Sequence, residues 1–183
     1  ALGGARVFDA GGRRFLEVPR FDRVGEFGRR GVVSLAALQA AIDRADAPNW
    51  PDAVAALAEV GFVDRRSVDT VVRRSMLGEL IGNTDMHAGN LAFWFTDAGP
   101  LAVAPAYDML PMLWAPAAGG ELVSRRFAPQ PPTPAQSDSW RTAAGWAVDF
   151  WTRVAADEMV SAGFQKVAEQ SGEQVENLRR RFG

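Results

Sequence analysis

Three side chains in this 183-residue sequence have the types and spacing of an active centre: Asp85, Asn90 and Asp108. The first two lie in Gly82-Asn83-Thr84-Asp85-Met86-His87-Ala88-Gly89-Asn90, and the third ends Pro105-Ala106-Tyr107-Asp108. Moving a phosphoryl group from a nucleotide to a hydroxyl needs a carboxylate that orients the hydroxyl and accepts its proton. It also needs oxygen donors, usually carboxylates or amides, to hold Mg²⁺ against the phosphates. Asp85 suits the first task, and Asn90 and Asp108 suit the second. Asn90 follows Asp85 by five positions, the offset of a D-x-x-x-x-N catalytic loop.

Each of these residues also has a plainer reading. Asp85 and Asn90 are types that cap helix ends and turns. His87, the only histidine, can be a packing residue with one satisfied nitrogen. Asp22 can simply pair with Arg20 or Arg23. The six tryptophans read as core or interface filler, because no basic patch interleaves them as it would on a base-stacking surface.

A rigid site requires rigid neighbours. Before the loop, Asp64 or Ser67 caps a helix running to about residue 81. Its apolar positions Val68, Val71, Val72, Met76, Leu77, Leu80 and Ile81 spread around the wheel, which predicts a buried helix. After the loop, residues 91–95 form an apolar extended run that can pair with 101–103 across a turn at 96–100. Upstream, Ser34 caps a helix over 35–45, and Pro51-Asp52 opens another through Val60, ended by Gly61.

At the start, Val7-Phe8 and residues 14–18 flank Asp9-Ala10-Gly11-Gly12 as a hairpin, and Pro19 closes the second strand. Two strands make a poor domain, so this hairpin reads as the tail of a larger sheet lying upstream. The glycine- and proline-rich residues 116–139 read as a long surface loop. Two helices follow, over 140–156 and 157–181, with Ser161-Ala162-Gly163 as a possible break. The fold class is α+β, predominantly helical.

Composition sets limits on partners. Hydrophobic content of 48% fits a folded domain, and a formal net charge of −2 gives no basic footprint for nucleic acid. There is no cysteine, which fits a cytoplasmic location, and no apolar run long enough to cross a membrane. Of the 20 basic residues only Lys166 is a lysine.

The loop departs from ordinary protein kinases in two places. Asn83-Thr84 replace the usual His-Arg before the aspartate, with the histidine following at 87, and Asp108-Met109-Leu110 replaces Asp-Phe-Gly. With these departures, Thr84-Asp85-Met86-His87-Ala88-Gly89-Asn90 and the later Tyr107-Asp108 resemble the C-terminal domain of HipA-type serine/threonine kinases. Val18-Pro19-Arg20-Phe21-Asp22-Arg23 resembles that family's hinge segment. The resemblance implies a protein-kinase-like C-terminal lobe over 26–183 with its catalytic loop at 82–90. Residues 1–25 would then be the end of the small-lobe sheet and the hinge.

By the same resemblance Asp85 is the catalytic base, and Asn90 and Asp108 are metal ligands. Pro19, Phe21, His87, Ala88, Gly89, Asn90 and Tyr107 border the nucleotide. Pro19 stands where the family usually has glutamate, and proline keeps its carbonyl but has no N–H to offer the adenine edge. Mg²⁺, ATP as substrate, a protein substrate and a DNA-binding antitoxin are the implied partners, without direct nucleic-acid or membrane binding.

A kinase also needs a lysine and a covering loop on the phosphates. No lysine precedes 166, and Gly3-Gly4 and Gly11-Gly12 match neither phosphate-binding glycine pattern. The expectation is an N-terminal lobe before residue 1 and negligible turnover by this chain alone. Two other functions compete. One is a non-catalytic kinase-derived binding module using loop 116–139, and the other is a metal-dependent hydrolase using Asp85, His87 and Asp108.

Overall fold

The structure, a computed structural model, describes residues 5–42, 47–121, 123 and 125–182. Strands β1 (Arg6–Ala10) and β2 (Arg13–Glu17) pair antiparallel, with Arg6 opposite Glu17 and Ala10 opposite Arg13. Gly11 and Gly12 turn between them at φ 57° and 72°, a conformation that glycine enters without steric cost. Asp9 and Ala10 therefore belong to the strand and not to the turn. Both faces of this hairpin are exposed, and it is held by Phe8 stacked on Phe15 and by Arg6–Glu17 and Arg14–Asp9 ion pairs. Exposed pairs of that kind contribute little stability.

A small hairpin of β3 (Arg23–Val24) and β4 (Gly28–Arg29) follows. Strand β5 (Val32–Ser34) then pairs antiparallel with β6 (Ala92–Trp94), Val33 opposite Phe93. The other edge of β6 meets residues 102–104 as expected. Trp94 N–H donates to the Ala102 carbonyl and Ala104 N–H to the Ala92 carbonyl, both at 2.8 Å.

Helix α1 (Leu35–Ala41) begins where the Ser34 hydroxyl accepts the Ala37 N–H at 3.2 Å. It ends sooner than its apolar spacing suggests, since Ile42 is already extended (φ −124°, ψ 116°). The remaining residues expected in this helix, 43–45, lie outside the described residues. Helix α2 (Trp50–Glu59) carries Pro51 in its first turn and is capped by the Asn49 side chain, which accepts from Asp52 N–H at 2.9 Å. Helix α3 (Arg65–Leu80) is capped by Asp64, which accepts from Ser67 N–H at 2.6 Å.

The region expected as one surface loop is more ordered than that. Phe127 packs on Trp114 and Trp151, and a 3-10 turn at Pro134–Gln136 leads directly into α4 (Ser137–Ala156). Helix α5 (Ala162–Phe182) packs along α4, so the break between them falls at residues 157–161 rather than at 161–163.

Two apolar clusters form the interior. One gathers Leu35, Trp50, Val54, Val71 and Phe93, and the other Leu80, Ile81, Trp140, Trp151 and Val175. Helix α3 serves both, giving Val71 to the first and Met76 and Leu80 to the second, as its all-round apolar pattern requires. Among the described residues no helix is long and apolar enough to cross a membrane.

Candidate active site

The loop that carries Asp85 leaves α3 through Gly82, at φ 69°. The buried Asn83 donates its N–H to the Gly78 carbonyl at 2.8 Å, and its Oδ1 accepts the Asp85 N–H at 3.0 Å. Met86 lies against α3 at Gly78, where any Cβ would overlap its sulfur. The buried Asn83 and the half-buried Met86 thus fix the backbone on both sides of Asp85, while the residue itself is exposed.

His87 opens a 3-10 turn over Ala88–Asn90. Its Nδ1 accepts the Gly89 N–H at 3.0 Å, and its carbonyl accepts from Trp50 Nε1 and from Asn90 N–H, each at 3.0 Å. The imidazole therefore organises its own turn. Asn90 Nδ2 donates to the Asp85 carbonyl at 3.1 Å, a bond that leaves its Oδ1 unused. Tyr107 donates its hydroxyl to the Gly89 carbonyl at 2.6 Å. Burial, and then the Asp108 charge, push the Tyr107 phenol upward, so it is protonated and a donor at neutral pH. Asp108 is exposed, with a left-handed backbone at φ 54°, the only such non-glycine residue among those described.

Beside the loop lies a cavity of about 350 Å³ lined by Val18, Pro19, Phe21, Val32, Ala92 and Tyr107 together with Arg20 and Asp22. The Phe21 ring sits 5.8 Å from Tyr107 and 5.5 Å, edge-on, from Trp94, and the Arg30 guanidinium lies 3.7 Å above Trp94. Asp22 is buried and takes both oxygens of its carboxylate to Arg20, at 2.8 and 2.7 Å. The Arg20 hydrogen bonds hold that carboxyl below its ordinary range, against the opposing effect of burial. Asp22 is thus the paired residue of its plainer reading.

Pro19, Phe21 and Tyr107 line one cavity; Asp85, His87, Ala88, Gly89 and Asn90 share one loop; and the Tyr107–Gly89 bond joins the two. Asp108 follows Tyr107 directly. As oxygen donors, Asp85, Asn90 and Asp108 are the residues here that could hold Mg²⁺: neither aspartate is in an ion pair among the described residues, and the Asn90 amide oxygen is left free by its bond to Asp85. The apolar slot has the size and lining for a flat heterocycle. Among the described residues no three His, Cys, Asp or Glu side chains gather, and His87 Nδ1 accepts the Gly89 N–H.

Sequence reasoning missed Val32 and Ala92 as walls of this slot, Trp94 as the ring packed edge-on against Phe21, and Trp50 as the anchor of His87. Their apolar type marks them as core, and only the β5–β6 pairing brings Val32 and Ala92 to the cavity.

Over residues 3–179 the sequence matches the family model described as HipA-like C-terminal domain. It is 37% identical over 164 residues to Toxin YjjJ of Escherichia coli (strain K12), covering 90% of this chain and 37% of that protein. Among solved structures, a chain from the Shewanella oneidensis MR-1 toxin–antitoxin complex of HipA, HipB and operator DNA matches with a TM-score of 0.58 at 15% identity. That match covers 98% of this chain and 51% of the other, and it speaks to the helix-rich α+β fold alone. The chain therefore spans little more than a third of the curated relative and about half of the structural one.

Proposed function

Because the chain belongs to the family of HipA-like C-terminal domains, we propose that it is the catalytic lobe of an ATP-dependent serine/threonine protein kinase. One observation carries this reading. The apolar slot lined by Pro19, Phe21 and Tyr107 is hydrogen-bonded, through Tyr107, to the loop that bears the exposed carboxylate of Asp85. A base in that slot would direct its phosphates toward Asp85, Asn90 and Asp108.

Asp85 then accepts the proton of the attacking hydroxyl, as its exposure on a backbone fixed by Asn83 permits. Asn90 and Asp108 would hold Mg²⁺, which when bound neutralises charge on the phosphoryl oxygens. His87 shapes the turn that presents Asn90. On this reading residues 1–25 are the end of a small-lobe sheet and the hinge, and 26–183 form the large lobe.

The only lysine, Lys166, lies on α5, which packs on α4, and it is not among the residues that line the slot. The lysine and glycine-rich cover of the phosphates are accordingly assigned to a separate small lobe. This chain by itself should show weak Mg-nucleotide affinity and negligible turnover. A protein substrate, a DNA-binding antitoxin partner and a cytoplasmic location belong to the same proposal; the Shewanella relative is recorded in complex with HipB and operator DNA.

The test is transfer of the ATP γ-phosphate by the intact gene product, with and without Asp85→Asn. Loss of at least about 100-fold is expected for removing a general base. Unchanged labelling by Asp85→Asn would sink the assignment, and robust labelling by these 183 residues alone would contradict the need for a second lobe.

A further inference from the structure

We propose that Tyr107 is a positioning residue. Its hydroxyl orients the Gly89–Asn90 peptide, and with it the Asn90 amide, for metal binding, so that a base held against its ring is linked to the metal loop. The inference rests on the phosphotransfer reading above.

Tyr107 faces two ways. Its ring walls the 350 Å³ cavity and lies 5.8 Å from Phe21, while its hydroxyl reaches the Gly89 carbonyl at 2.6 Å, short for an O–H···O bond. The carbonyl of Gly89 and the N–H of Asn90 belong to a single peptide plane. Tyr107 holds the oxygen of that plane, and the His87 carbonyl holds its N–H at 3.0 Å. The preceding plane is fixed by His87 Nδ1 on the Gly89 N–H at 3.0 Å. Asn90 Nδ2 is tied to the Asp85 carbonyl at 3.1 Å, which leaves its oxygen without a hydrogen bond among the described residues.

Without the Tyr107 hydroxyl, the Gly89 carbonyl has no other hydrogen-bond partner among the described residues, and rotation of its plane moves the origin of the Asn90 side chain. Glycine at this position has the backbone freedom to let that rotation happen. A base filling the slot would restrict the tyrosine ring and steady the hydroxyl that it carries. No other tyrosine exists in the chain to substitute.

The experiment is calorimetric titration of the intact gene product with adenosine, and with ADP in the presence and absence of Mg²⁺. Tyr107→Phe retains the ring that packs on Phe21 and removes only the donor, and a melting curve confirms that the variant is folded. Adenosine affinity should change less than about twofold, while the Mg²⁺-dependent gain in ADP affinity falls about fivefold, the size of one net hydrogen bond. In an Asn90→Ala background, Tyr107→Phe should cause no further loss of that gain, because the tyrosine acts through Asn90.

A Mg²⁺-dependent gain kept in full by Tyr107→Phe overturns the proposal. So does a parallel fall in adenosine and ADP affinity, which would mean a stacking role only. If the unaltered protein binds adenosine but gains nothing from Mg²⁺, the proposal fails while the slot assignment stands. If it binds neither adenosine nor Mg-ADP, the phosphotransfer reading falls as well.

Discussion

Asp108 meets two separate demands, one on its backbone and one on its carboxylate. At φ 54° it occupies the left-handed region, which costs most residues about 1 kcal/mol and which Asp and Asn tolerate best. Asp108→Asn should therefore leave stability within about 0.5 kcal/mol of the parent, whereas Asp108→Ala should lose about 1 kcal/mol. Both should abolish Mg²⁺-dependent nucleotide binding. Urea unfolding beside Mg-ADP titration separates the two effects, and equal destabilisation by Asn and Ala would mean that backbone strain is not what distinguishes them. The metal-ligand candidacy of Asp108 was readable from its type and its distance from Asp85. Its backbone conformation was not, because aspartate is common in ordinary turns that need no positive φ.

Elements position the loop more tightly than their sequence advertises. Helix α3 was legible as buried from its apolar spread, but the contact that seats the loop on it depends on an absence, the missing Cβ of Gly78 under Met86. Glycine inside a helix reads as a weakness of up to about 1 kcal/mol relative to alanine. Gly78→Ala recovers that propensity and forces Met86 off its seat, and overpacking of this kind costs about 1–3 kcal/mol. The net expectation is a loss of about 1 kcal/mol. If the proposed kinase reading holds, phosphate transfer by the intact gene product should suffer more than stability, because Met86 is the neighbour of Asp85. The double variant Gly78→Ala/Met86→Ala should regain part of the stability lost by Gly78→Ala, a coupling visible in a double-mutant cycle. Strictly additive effects would show that the contact does not matter. Strand β5 illustrates the converse limit. Its three residues Val32–Ser34 are too few to show an alternating pattern, so its pairing with β6, which builds the cavity wall, emerges only in three dimensions. The expected partner of β6 at 101–103 was legible because a short turn-rich segment joins the two.

At the scale of the whole molecule, the two apolar clusters meet around α3 and Met109, which packs against both. Met109 follows Asp108, so the candidate metal ligand sits where the two halves of the core join. Trp151 governs the second cluster. It is fully buried, and its Nε1 donates to the Leu80 carbonyl at 3.0 Å, satisfying a helix-end acceptor that has no partner within α3. Trp114, Phe127 and Phe150 pack around its ring. Trp151→Phe removes the donor, leaves a buried carbonyl unpaired at about 1–3 kcal/mol, and opens a cavity besides. A total loss of about 3 kcal/mol is expected. Leu80 stands five residues before Asp85, so a loosened α3 terminus should also be felt at the Asp85 loop, and on the proposed reading Mg-nucleotide should recover part of the lost stability by binding only the folded form. Because α3 and Met109 belong to both clusters, the variant should still unfold in one step. The decisive measurement is urea unfolding of Trp151→Phe followed in parallel by tryptophan fluorescence, to which Trp50 of the first cluster contributes, and by far-ultraviolet circular dichroism. Coincident curves are expected. Separated transitions would mean that the core is two independent units and that the loop between them is not held by their union.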